Sequence, residues 1–120
     1  MKTGTLKKGE ETLIERVSIA GNAWERMKGL LGRPSLGRDH ALFLAPCRSI
    51  HTVGMRFPID LIFVDREFHV RNVTRNVPPG RVIFGGWAAW AVFEIESGWF
   101  PAGNLKEGDR VTLVIAGACS

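Results

Sequence analysis

Apolar residues in this chain come in short runs, and Gly or Pro interrupts most of them. The run at residues 41–45 stops at Pro46, that at 91–96 stops before Gly98, and Val77 is followed by Pro78, Pro79 and Gly80. Runs of this kind suit strands of about four to eight residues bounded by turns, and they do not suit a helical bundle. The expected class is therefore mainly β (α+β). Strands are predicted at residues 12–20, 41–45, 59–64, 68–74, 81–84, 91–96 and 111–116, with 59–64 the clearest and residues 65–67 turning it into a hairpin with 68–74. A twisted antiparallel sheet of about seven strands tends to curl, which removes its edges, so a small barrel-like domain is expected.

One segment breaks the strand pattern. Ala23, Met27, Leu30 and Leu31 recur at helical spacing, Asn22 caps the start with Glu25 three residues on, and Gly32 and Pro34 terminate it. This predicts one short helix set against the sheet.

The 120 residues fit a single domain, 1–120, with a core over about 12–116. Hydrophobic residues are 45% and charged residues 23%, which excludes a disordered chain. The net charge of +4 comes from sixteen Lys and Arg that are scattered, without a run of five like charges. Nucleic-acid binding needs cations gathered on one face, so it ranks last among the functions weighed. Cys47 and Cys119 form no C-x-x-C pair and read as reduced thiols. His40, His51 and His69 are too dispersed for a zinc site, and no metal or cofactor is implied. Residues 1–12 are polar and lack an apolar signal core, and no apolar run spans a bilayer. The chain as written reads as cytoplasmic, and one trimmed of a leader would read the same way.

Residues 47–65, CRSIHTVGMRFPIDLIFVD, hold the densest chemistry. Cys47, Arg48, Ser49, His51, Thr52 and Arg56 precede a rigid strand, a common way to build a site. Asp60 heads an apolar strand and is expected to be buried, where a carboxylate needs a partner. Arg26, at the edge of the helix's apolar face, and Arg33, just past its end, are the candidates. The plainer reading is an ion pair pinning helix to sheet, and the alternative is a catalytic carboxylate. Cys47 and His51 would need direct contact to act as a nucleophile and its base, and the plainer reading is a buried Cys beside a loop His. In FGGWAAW, residues 84–90, Trp87 and Trp90 suit either a contact surface or the core.

Several segments resemble one family. RMKGLLGR, residues 26–33, is similar to the R-x-x-G-L-x-G-R signature of the domain of unknown function 192 family. GMRFPIDLIFVD, residues 54–65, resembles its M-[KR]-x-P-[IL]-D-x-[IV]-F-[IVL]-D core, preceded by CRSIHT. AVFEIESG at 91–98, with Phe93 for the usual Leu, and LKEGDRV at 105–111 resemble its later strand and closing turn. The resemblance implies a compact β-rich domain with one short helix, and it marks Arg26, Arg33, His51, Met55, Asp60 and Glu94. It implies no reaction. Many relatives carry a leader or lipoprotein signal that this sequence does not show, and FGGWAAW lies outside the pattern.

Three functions are ranked. The first is a binding module for a polar small ligand or a partner protein segment. Its predicted site is a concave surface bringing together His51, Arg56 and either Trp87 or Trp90, with Cys47 on the same loop. The second is a small hydrolase-like enzyme using His51 and Asp60. The third is a nucleic-acid accessory protein.

Overall fold

The computed structural model describes residues 2–20, 36–98 and 105–115. These form nine strands: β1 (Lys2–Lys8), β2 (Glu11–Ile19), β3 (His40–Leu44), β4 (Ser49–His51), β5 (Ile59–Val64), β6 (Val70–Val77), β7 (Val82–Phe84), β8 (Ala91–Glu96) and β9 (Thr112–Ile115). Seven of them make one sheet in the order β6-β5-β8-β3-β2-β1-β9, and β4 pairs with β7 in a separate two-stranded ribbon. The main sheet is mixed rather than antiparallel, because β2 and β3 run parallel. The predicted helix, with Arg26 and Arg33, lies outside the described residues.

Two strands were not expected. β1 carries only Leu6 as a large apolar side chain, yet Leu6 is fully buried, so the core begins well before residue 12. The β1–β2 hairpin turns through Gly9, whose φ of 61° lies in the left-handed region. β4 lies between the strands predicted at 41–45 and 59–64, where none was expected.

The sheet is apolar on both faces, which is why β5 and β8 show no alternation in burial. On the first face Ile62, Val64, Phe93, Ile95 and Phe43 join Leu6, Ile14 and Val17 in one cluster. On the second face Leu42, Leu44, Ile59, Leu61, Phe63 and Val92 meet Cys47, Ile50, Met55 and Phe57 from the chain that crosses over them.

The sheet curls but does not close into a barrel. Among the described residues its edge strands meet at one end, through the bridge between His69 and Arg110. There Val70 N–H donates to the Asp109 carbonyl (2.7 Å), Gly108 N–H to that of Val70 (2.8 Å) and Val111 N–H to that of Phe68 (2.9 Å). Beside this seam is a groove of about 240 Å³ lined by Arg66, Phe68, Arg110, Val111 and Leu113.

Candidate functional site

The densest sequence segment folds as a ribbon laid on the second face of the sheet. Ile50 pairs with Ile83, His51 with Val82 and Ser49 with Phe84. The ladder extends at both ends, with Gly85 N–H donating to the Arg48 carbonyl and Thr52 N–H to that of Arg81, both at 2.8 Å. Ile50 and Ile83 point inward to the second-face cluster. By strand alternation Ser49, His51, Val82 and Phe84 share the outer face, and all four are exposed.

Thr52 locks the ribbon in place. Fully buried, its hydroxyl donates to the Pro78 carbonyl (2.7 Å) and accepts from Arg81 N–H (2.8 Å). The other end is held by Arg48 Nε donating to the Ala89 carbonyl (2.9 Å) and by Cys47 N–H donating to the Trp90 carbonyl (2.7 Å). Thr52 therefore has a positional role, and its match to a hydrogen-bonding hub was not readable from its place in CRSIHT.

Of the predicted site residues, His51 stands on the outer face of the ribbon, which Phe84 shares, and Trp87 follows β7 by three residues. Trp87 is 80% exposed and meets Phe84 edge to face, with centroids 5.1 Å apart. Phe84 was not singled out from the sequence; its alternation with Val82 on a strand beside Gly85 was the available signal. Trp90 goes elsewhere. It packs against the first-face cluster, near Phe43 and Phe68 with centroids at 6.4 and 6.1 Å, and the Arg66 guanidinium lies 5.5 Å from its ring. The sheet separates it from the second-face cluster that carries Cys47 and Ile50. Trp90 is thus not a member of the predicted concave surface. Arg56 is exposed between the buried Met55 and Phe57.

Cys47 is buried, and its Sγ donates to the Ser49 carbonyl (3.2 Å), whereas His51 stands on the exposed face. The thiol points into the core cluster, the setting of a structural cysteine.

Asp60 is buried as expected, at 3% exposure. Its surroundings identify a role the sequence did not show. β5 and β6 shift register between Ile59↔Val77 and Leu61↔Thr74, so β6 bulges at Arg75 and Asn76. Asn76 has φ 54°, and its N–H has left the ladder. Asp60 Oδ1 accepts that N–H (2.8 Å) and the Ser97 hydroxyl (2.8 Å), while Oδ2 lies 3.7 Å from Arg75 Nη1. The carboxylate ties the bulge of β6 to the turn after β8. Arg75 is its cation among the described residues.

A second carboxylate, Asp65, shapes the β5–β6 turn. Oδ1 accepts N–H from Glu67 (3.0 Å) and His69 (2.9 Å), and Oδ2 accepts from Arg71 Nε (2.9 Å). Burial opposes its ionisation, but the donors from His69, Arg71 and Glu67 prevail and hold its pKa below the ordinary 3.8. Glu94, on β8 between Leu42 and Leu61, is also buried.

The architecture is that of a mixed β domain whose second face is covered by a short ribbon and its loops. The chain belongs to the domain of unknown function 192 family, described as an uncharacterized ACR, whose profile matches residues 4–113. A protein of unknown function from Novosphingobium aromaticivorans has a similar structure, with 25% identity and a TM-score of 0.76 over 92% of this chain and 83% of that one. A putative transcription regulator from Sinorhizobium meliloti, 19% identical, shares the fold at a TM-score of 0.76 over 93% of this chain and 92% of its own. No curated protein matches the chain. No helix among the described residues is long and apolar enough to cross a membrane.

Proposed function

We propose that the chain is a small binding module whose site is the outer face of the β4–β7 ribbon. The observation that supports this reading is the gathering of exposed apolar side chains there. Val82 is 72% exposed, Phe84 49% and Trp87 80%, and His51 and Ser49 lie directly across the ladder from the first two. Leaving adjacent large apolar groups in water stabilises nothing within the fold, and such patches rimmed by polar groups mark contact surfaces. Phe84 and Trp87 supply apolar walls, and the imidazole and hydroxyl supply fixed polar contacts, the mix that ligand sites use. The hydrolase-like reading gains no comparable support, since Asp60 is engaged by Asn76, Ser97 and Arg75. The proposal takes the compartment to be the cytoplasm, where the buried Cys47 stays a free thiol.

The test is native purification followed by denaturation and mass spectrometry of what is released. A compound or peptide retained by the chain and lost from Trp87→Ala and His51→Ala supports the reading. Equal retention by both variants overturns it. Both substitutions are at exposed positions, so folding is expected to be unchanged.

A further inference from the structure

We propose that the outer edge of β7 takes up an extended, acidic segment of a partner protein as an added strand. This rests on reading the β4–β7 face as a binding surface, and it adds the occupant and its mode of attachment.

The first argument is backbone geometry. The ladder bonds at Arg48–Gly85 and Thr52–Arg81, with Ile50–Ile83 midway, make these the hydrogen-bonded pairs of the ribbon. In an antiparallel ladder the residues between such pairs turn their N–H and C=O groups the other way. The N–H and C=O of Val82 and Phe84 therefore face away from β4. The small sheet ends at β7, and among the described residues these four groups have no hydrogen-bond partner. Proteins ordinarily protect such an edge with a charge, a proline or a bulge within the strand. β7 is short, which limits an open edge, but Val82, Ile83 and Phe84 include no charge, proline or bulge.

The second argument is charge. Residues 46–58 and 78–93 contain Arg48, Arg56, Arg81 and His51, and no Asp or Glu, although the chain has twelve acids elsewhere. Arg81 immediately precedes β7, and Arg48 is paired with Gly85 just beyond its end. A strand added along β7 lies on the side away from β4, beside Arg81. Its carboxylates would fall near Arg81, and its alternate apolar side chains beside Val82, Phe84 and Trp87; Arg48, across the ribbon and bonded to the Ala89 carbonyl, adds only to the positive field of the region.

The same charge argues against a second copy of this chain, which would bring its own arginines to the shared edge. Single-stranded nucleic acid fits the rings poorly. Phe84 and Trp87 meet at 71°, forming a notch in place of the open stacking platforms that bases use. Strand addition also uses the free backbone groups, with main-chain bonds giving affinity and alternate side chains giving specificity.

The experiment is selection of displayed random linear peptides, about ten residues long, against the full chain. Enrichment of peptides that alternate apolar residues and include Asp or Glu supports the proposal. The best peptide is then remade with N-methyl groups on alternate backbone amides, in both registers. One register is expected to lose at least about tenfold in affinity, as removal of paired hydrogen bonds requires. Arg81→Glu should weaken the parent peptide by a similar factor, and added salt should weaken it further. Four results overturn the proposal: enrichment of basic or neutral peptides or of none, undiminished binding of both N-methylated forms, competition by a single-stranded oligonucleotide, and self-association that protects the Val82 and Phe84 amides. If no peptide is enriched while Trp87→Ala still loses a retained ligand, strand addition falls and the binding face stands.

Discussion

β5 and β7 have similar sequences and opposite surroundings. Apart from Asp60, IDLIFV is apolar like VIF, yet all six residues of β5 are buried and the three of β7 are exposed or half-exposed. β5 lies between β6 and β8 with both faces covered, whereas β7 has one neighbour and one covered face. The contrast teaches that an apolar run states what a strand can bury, and its place in the sheet states what it does bury. In β5 every side chain but that of Asp60 contributes to the core. In β7 only Ile83 does, and Val82 and Phe84 remain available for another molecule.

The largest effect should come from the centre of β5. Phe63 is fully buried, and Phe63→Ala is expected to destabilise by about 3–5 kcal/mol in chemical denaturation. A loss below about 1 kcal/mol would mean that the second-face core is looser than described.

Asp60→Ala comes next. It removes the acceptor of both Asn76 N–H and the Ser97 hydroxyl, and leaving such donors unsatisfied costs about 1–3 kcal/mol each. The side-chain hydroxyl can recover water, so a total of roughly 2–4 kcal/mol is expected. Amide exchange should accelerate at Asn76 more than at Val73, and equal acceleration at both would remove the bulge-capping role.

Gly85→Ala probes the junction of the two regions. A Cβ at Gly85 would overlap the ring of Phe63, so ribbon and core cannot both keep their positions. Overpacking of this kind costs about 1–3 kcal/mol. If the ribbon lifts to relieve it, proteolysis should cut first near β7, and an unaltered digestion pattern with unchanged stability would show that the ribbon is not seated on Phe63.

The acid limb of the stability curve tests Asp65. Its folded pKa is depressed below 3.8, so the unfolded chain binds the proton more readily. The contribution is complete above about pH 3.8 and is lost as pH falls through the folded value. Asp65→Asn should flatten the dependence in that window, where an unchanged slope would assign acid sensitivity to other carboxylates.

The smallest effect completes the contrast. Phe84→Ser should change the denaturation midpoint by no more than about 0.5 kcal/mol in equivalent stability, because the ring is half in water. A loss as large as that of Phe63→Ala would place Phe84 in the core and remove the main ground for a binding face.

Much of the fold was legible where local pattern and burial coincide. β5 and β8 begin and end at the residues read from the sequence, since runs apolar on both faces stop at Asp65 and before Gly98. β1 and β4 were not legible. KTGTLKK has one large apolar residue and SIH has three residues in all, so neither carries a period long enough to read. The expected barrel-like antiparallel sheet is instead an open mixed sheet, because β3 returns beside β2 in parallel, a pairing that no turn residue announces.

At the site the division is sharper. The sequence by itself determined that a polar, basic segment adjoins an apolar strand, that Asp60 would be buried, and that two tryptophans follow a glycine pair. The tertiary structure alone decided that Trp90 packs on the first face while Trp87, three positions away, stands in solvent. It also decided that Asp60 meets a bulge sixteen residues on. The reason is that composition and periodicity record each residue's local chemistry, whereas exposure and hydrogen-bond partners depend on which distant segment the sheet order brings alongside.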